Sequence, residues 1–153
     1  MIVFRLTKAK YSHDLSGAGA EKTGGRWNSK GKPMIYTSMS RALCVSEIAV
    51  HLPLGLVPRD YQLVSIEIPE GAAILEIDAN KLPQDWKLFP HPNSTRKFGD
   101  DFITSGMYLV LKVPSAVVEG DFNYLINPAH LDFINIKISK IEAFNFDERL
   151  FKK

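Results

Sequence analysis

Gly24-Gly25-Arg26-Trp27-Asn28 sets a planar guanidinium behind two residues that can take positive φ or lie close against a ligand. Tyr36 follows on a short apolar run, and Glu47 sits inside an apolar helical pattern. A guanidinium offers paired donors to a phosphate or a carboxylate. A carboxylate among apolar neighbours is costly to bury, so Glu47 must be protonated, meet a cation or open onto a polar cleft. Its ordinary alternative is a gap in the helix surface that leads to water. Arg5, on the polar face of a short strand, has a surface role as its alternative, and for Arg26 a surface ion pair competes with phosphate binding. Two arginines, a tyrosine and a glutamate in the first third of the chain together describe a pocket for a phosphorylated, ribose-bearing molecule.

The chemistry that fits these side chains is cleavage of an N-glycosidic bond in a dinucleotide. Loss of nicotinamide leaves an oxocarbenium-like ribose, which a carboxylate stabilises directly or through the ribose hydroxyls. Arginines hold the pyrophosphate, and an aromatic face such as Tyr36 stacks on the nicotinamide ring. Neither a metal nor a covalent nucleophile is required.

These side chains need elements to hold them. A strand over 2–6 puts Ile2, Phe4 and Leu6 on one face and Val3 and Arg5 on the other. Residues 7–33 are polar and glycine-rich with little periodicity, and a loop of that length is usually functional. A strand over 34–37 carries Tyr36. Ser38 or Ser40 caps a helix to about 52, apolar nearly all round and therefore expected to be mostly buried, with Pro53 and Gly55 ending it. Strands follow over 62–68 and 73–77. Prolines 83, 90 and 92 interrupt 82–92, and Ser94 caps a helix to about 105 that stops at Gly106. Strands over 108–113 and 124–126, an Asn127-Pro128 turn, and strands over 133–138 and 142–146 complete the chain. Strands come in runs, so the expected class is α+β, a mixed, mainly antiparallel sheet with flanking helices.

With 153 residues, 45% hydrophobic and 24% charged, the chain fits one soluble domain with a real core. A net charge of +2, with no basic block beyond Lys152-Lys153, gives no argument for direct nucleic-acid binding. The single cysteine, Cys44, lies among apolar residues and reads as a small buried hydrophobe. No signal peptide or membrane span is legible, which points to the cytoplasm. His13, His51, His91 and His130 lack metal-like spacing and take structural or surface roles, with His130 left open. Trp27 reads as core, Trp86 as a loop anchor, and Asp100-Asp101 as a solvated helix face. Lysines 8, 10, 22, 30 and 32 make the N-terminal loop basic, which suits an anionic substrate or plain solvation.

Phe4-Arg5-Leu6, the block from Gly24 to Gly31, Ile35-Tyr36-Thr37-Ser38, Ala42 with Glu47, Val113-Pro114-Ser115-Ala116, the block from Asn123 to His130 and the closing block from Phe144 to Leu150 form an ordered set. In these the chain resembles the RES-domain family, bacterial toxins paired with Xre-type antitoxins. The resemblance covers nearly the whole chain and implies a single RES domain over 1–153, with a fold related to ADP-ribosyltransferases. It implies that NAD is consumed as substrate, with no prosthetic group, by hydrolysis or phosphorolysis of the nicotinamide–ribose bond; the alternative is ADP-ribosylation of a metabolic protein. Carried over by position, Arg5 and Arg26 bind phosphates, Tyr36 flanks the nicotinamide ribose and Glu47 stabilises the charged sugar. Glu47, Tyr36 and Arg26 are then the catalytic set. Ser115 lines the pocket without acting as a nucleophile, since no His/Asp pair activates it. Asn127 joins the substrate-binding group, although Asn before Pro is also an ordinary turn former. The resemblance further implies an Xre-type antitoxin over the pocket, an assembly with more than one toxin copy, and DNA contact only through the antitoxin. The acceptor of the ADP-ribose stays open: water, phosphate or a protein side chain.

Overall fold

The computed structural model describes residues 1–152; Lys153 lies outside the described residues. Its strands are β1 (Ile2–Lys8), β2 (Ile35–Ser38), β3 (Tyr61–Glu67), β4 (Ile74–Glu76), β5 (Val110–Pro114), β6 (Phe122–Ile126) and β7 (Lys137–Phe144). The helices are α1 (Ala18–Thr23), α2 (Arg41–Ala49) and α3 (Asn93–Ser105). All seven strands form one sheet in the order β4-β5-β6-β2-β1-β3-β7. Among the described residues only the β4–β5 pair is parallel, so the α+β, mainly antiparallel expectation holds.

Strand alternation divides the core. On one face Val3, Ile35, Val64, Ile66, Val110 and Ile126 make one continuous cluster across the sheet. On the other face there are two clusters. Leu111, Val113 and Leu125 pack with Trp27, Met34 and Phe102 of α3. Leu6 and Leu63 pack with Cys44 of α2, Phe146 and Phe151. Between these two lies the middle of the sheet, where β1 and β2 share a single registered pair, Phe4 opposite Ser38. A gap in the packing therefore coincides with a gap in the pairing.

Several elements differ from the pattern reading. The expected loop 7–33 contains a 3-10 turn (Ala9–Tyr11) and α1, which is flanked by the cap residues Gly17 and Gly24, both at positive φ. Only Ala20 of α1 packs against a core cluster, so no periodic apolar signal announces this helix. Helix α2 is capped by Ser40, whose Oγ accepts from the Leu43 N–H at 3.1 Å. It buries only Leu43 and Cys44 fully; Val45, Ile48 and Ala49 are half-buried at the edge of the core, where Cys44, Glu47 and Ile48 also wall a cleft. Helix α3 begins after Pro92 with no side-chain cap, Ser94 lying inside it, and ends at Gly106 at φ 60° as expected. The two final strands are one: Phe133 and Ile136, three apart in a 3-10 turn (Leu131–Asn135) and its end, pack on the sheet instead of alternating. In β7, Ile138 pairs with Ile66 and Ile141 with Val64, an odd spacing accommodated by a bulge at Ser139.

Helix α3 holds the glycine-rich segment by close backbone approach. A Cβ on Gly99 would lie 1.5 Å from the Trp27 carbonyl oxygen, a backbone atom that cannot swing aside. Gly99→Ala should therefore cost about 1–3 kcal/mol or more by overpacking. The measurement is the thermal midpoint, which should fall by several degrees; an unchanged midpoint would contradict this packing.

Candidate active site

The gap opens as two adjoining cavities. The smaller, about 410 Å³, is lined by Phe4, Arg5 and Leu6 of β1, by residues 34–38 around β2, and by Cys44, Glu47 and Ile48 of α2. The larger, about 870 Å³, is lined by Gly24, Gly25, Arg26, Trp27, Lys87, Phe89 and His91. Both volumes lie within the usual span of ligand pockets, roughly 300–1,000 Å³. Ala20, Tyr36, Glu47, His51 and Asn123 line both, so these five stand where the lobes meet.

Glu47 is not aimed through a gap into bulk water. Its Oε1 accepts from Ser115 Oγ at 2.8 Å and from Asn123 Nδ2 at 2.7 Å. Among the described residues no hydrogen bond reaches Oε2, which leaves that oxygen for a ligand. Ser115 itself is buried and its Oγ accepts from the N–H groups of Val117 and Val118 at 3.1 and 3.0 Å. Its hydroxyl proton thus points at Glu47, and Ser115 holds the carboxylate from behind without lining either cavity.

The Gly-Gly-Arg-Trp-Asn segment is held in place by buried hydrogen bonds and close packing. The fully buried Asn28 donates through Nδ2 to the carbonyls of Ala20 at 2.8 Å and Lys32 at 3.0 Å, and its Oδ1 accepts from the Tyr36 hydroxyl at 2.6 Å. That hydroxyl in turn accepts from the Trp27 N–H at 3.1 Å. A Cβ at Gly25 would meet the Tyr36 oxygen at 2.7 Å, so this glycine makes room for the tyrosine. Burial raises the Tyr36 phenol well above its usual range and keeps it neutral. Asp100 is not an ordinary solvated carboxylate: it accepts from Ser29 N–H at 2.9 Å and Ser29 Oγ at 2.6 Å, while Asp101 pairs outward with Lys97. Trp27 is core, stacked at a tilt on the buried Trp86, as expected of both.

Both arginines are tethered to backbone carbonyls. Arg5 donates to Asp14 O at 2.6 Å, and Arg26 donates to the carbonyls of Trp86 and of Leu88, the latter at 3.0 Å. Burial lowers the pKa of each, yet a guanidinium keeps its charge. They stand in different lobes, Arg5 in the smaller and Arg26 in the larger. Cys44 also faces the smaller lobe; burial pushes its thiol up to about 11, and its Sγ donates to Phe4 O, so it is no nucleophile.

Of the six residues marked from the sequence, Arg5, Arg26, Tyr36 and Glu47 line the cleft and Ser115 lies one contact behind it. Asn127 does not join them. It is buried at the end of β6, its Oδ1 accepts from Ala129 N–H at 2.9 Å, and it lines neither cavity; the turn-forming alternative describes it. His130 caps the following 3-10 turn, its Nδ1 accepting from Asp132 N–H at 3.0 Å. The cleft also takes in Asn123 and Phe89, which the sequence did not single out, Ser38, read as a possible helix cap, and His51 and His91, read as structural or surface residues. Asn123 lay within a marked block, and its place in a strand, two residues before buried Leu125, was the available signal. Among the described residues no group of His, Cys, Asp and Glu is arranged to hold a metal, and no helix is long and apolar enough to cross a membrane.

Residues 2–147 match the RES domain. The chain belongs to the RES-domain family. It is 42% identical over 142 residues to the Prs ADP-ribosylating toxin of Sphingobium sp. (strain YBL2), covering 92% of this chain and 88% of that protein. It is 38% identical over 155 residues to Toxin Res of Photorhabdus laumondii, covering 99% and 98%. A chain in the crystal structure of the M. tuberculosis MbcT–MbcA toxin–antitoxin complex shares the fold, with a TM-score of 0.74 at 20% identity over 98% of this chain and 86% of that one.

One titrating group of this RES-domain protein reports on the larger lobe. His91 lies edge-on to Phe89 with centroids 5.1 Å apart, and its Nδ1 is buried without a partner among the described residues. Burial, then the cationic surroundings of Arg26, His51 and Arg96, lower its pKa from 6.5 to about 4. Because the folded pKa lies below the unfolded one, the neutral imidazole contributes stability that is complete above pH 6.5 and lost as pH falls towards 4. His91→Gln should flatten the fall of the thermal midpoint across that window. Parallel slopes for the two proteins would contradict the assignment.

Proposed function

We propose that this RES-domain protein is the toxin of a bacterial toxin–antitoxin pair and consumes NAD by cleaving its nicotinamide–ribose bond. The observation that carries the reading is the placement of Glu47 and Tyr36 where an Arg5 lobe meets an Arg26 lobe. A dinucleotide is long, doubly charged at its pyrophosphate and scissile near one end, so it calls for two lobes, cations and a carboxylate at the junction. The C1′–N bond breaks heterolytically and its electron pair leaves with the nicotinamide nitrogen, discharging the pyridinium. The positive charge that develops on the ribose is met by Glu47, whose Oε2 is uncommitted. The acceptor oxygen then bonds to C1′ and gives up its proton, yielding ADP-ribose with water or its 1-phosphate with inorganic phosphate. Tyr36, a neutral phenol with its oxygen tied to Asn28 and Trp27, offers its ring as a wall for the nicotinamide or its ribose.

A second acceptor is favoured by one finding, the name of the Sphingobium relative, an ADP-ribosylating toxin. With the same cleft and bond cleavage, a protein side chain would take the place of water or phosphate.

Such a toxin needs restraint in its own cell. The partner is an antitoxin of the Xre type seated over the cleft, in an assembly with more than one toxin copy. Val50 and Phe89, 58% and 73% exposed, line the larger lobe and give its mouth an apolar rim suited to being covered.

Purified protein, freed of antitoxin, should release nicotinamide from NAD, and Glu47→Gln should slow release about 100- to 1,000-fold. Chromatography of nicotinamide, ADP-ribose and ADP-ribose 1-phosphate, with and without phosphate, measures this. Intact NAD in both conditions and with cell lysate would sink the enzyme reading; label from the adenylate half on a protein band would favour the second acceptor.

A further inference from the structure

We infer that Asn123, locked by Ser38, is a positioning residue that fixes the plane of the Glu47 carboxylate and so presents it to the substrate. The inference rests on the proposed role of Glu47 and adds a positioning residue to it.

Ser38 and Asn123 are directly opposite in the β2–β6 pairing, so their side chains leave the same face of the sheet at neighbouring points. Ser38 Oγ donates to Asn123 Oδ1 at 2.8 Å, and Asn123 Nδ2 donates to Glu47 Oε1 at 2.7 Å. The serine hydroxyl thereby decides the amide's orientation. With Oδ1 occupied by a donor, only the NH₂ end can turn to the carboxylate. Ser115 delivers a second proton to the same Oε1 at 2.8 Å from the other side. Two donors from two strand regions converge on one oxygen, and the carboxylate plane is fixed by them.

The consequence is a division of labour between the two oxygens. Oε1 is committed to the protein's two donors, and Oε2, which shares the delocalised charge, is left free to face the sugar. A glutamate on a helix has three rotatable bonds, and without the clamp its carboxylate would sample several positions across the lobe junction. An ångström of misplacement is enough to cost on the order of a hundred-fold in rate. Asn123 therefore acts through Glu47. Its own position is set by the sheet, where it is paired to Ser38 on one side and to Val113 on the other.

The test compares Asn123→Ala, Asn123→Asp and Ser38→Ala with the unaltered protein, reading kcat and KM for nicotinamide release, and the crystal structure of each variant. Asn123→Ala should lower kcat about ten- to a hundred-fold with KM changed far less, since both polar ends of the Asn123 amide are spent on Ser38 and Glu47 while Arg5, Arg26 and Tyr36 are unaltered. Asn123→Asp keeps the shape but puts a carboxylate against Oε1, so like charges should drive Glu47 away and kcat should fall at least as far. A residue that merely fills space would show the opposite order, with the isosteric Asp milder than Ala. Ser38→Ala, which only unlocks the amide, should give a smaller loss in the same direction. The crystal structure of Asn123→Asp should show the Glu47 carboxylate displaced from position 123. Glu47 unmoved in that structure, or an Asp variant with full kcat, overturns the inference. If the unaltered protein releases no nicotinamide, the functional reading fails, and the displacement of Glu47 still decides the clamp.

Discussion

Phe4 and Ser38 are the one registered pair between β1 and β2, and the cleft exists because backbone pairing stops there. A fully paired seven-stranded sheet would present two closed faces. Here one face is sealed by a continuous apolar cluster, while the other carries two clusters with an opening between them. Residues from both sides of a strand can then reach the same space. Arg5 and Leu6, which point to opposite faces of β1, both line the smaller cavity. The sheet continues past the opening on each side, so its rigidity is retained at the edge of the site.

Around that opening the polar groups are held before any ligand arrives. Arg5 and Arg26 are anchored on backbone carbonyls, Tyr36 on Asn28 and Trp27, and Glu47 on Ser115 and Asn123. Each functional group carries a hydrogen bond that fixes it and retains capacity directed elsewhere. Such preorganisation lowers the cost of arranging charge during reaction, the largest contribution in sites of this type. The glycines serve the same end. Gly25 and Gly99 allow approaches to Tyr36 and to the Trp27 carbonyl that a Cβ would block, and they fix the Arg26 segment against α3 and β2.

Pattern reading succeeded where a residue's role is local. Alternation located most strands to within a residue or two, and Ser40 and Gly106 mark their helix ends through capping and positive φ. It failed where long-range packing overrides period. The 3-10 turn at Leu131–Asn135 looks like a strand because Phe133 and Ile136 are apolar, yet the sheet receives them three residues apart. Helix α2 looks fully buried because its sequence is apolar all round, but part of that surface walls a cavity. Asn127 and Asn123 show the same limit within the site: both are asparagines on β6 or its end, and only the pairing of β6 with β2 separates the cleft residue from the turn former.

By itself the sequence determined the family, the α+β class and the cluster Arg5, Arg26, Tyr36 and Glu47. Each depends on residue type and on spacing along the chain. The tertiary structure alone decided that the β1–β2 pairing narrows to Phe4 and Ser38, that Ser115 stands behind Glu47, and that Asn123 and Ser38 complete its support. Those facts are contacts between residues 68 to 85 positions apart, created when distant strands and helices dock. Periodicity can say that a polar side chain faces inward. Which group it meets there is set by the folded chain, because a hydrogen bond needs its partners within about 3 Å in space, wherever they lie in sequence.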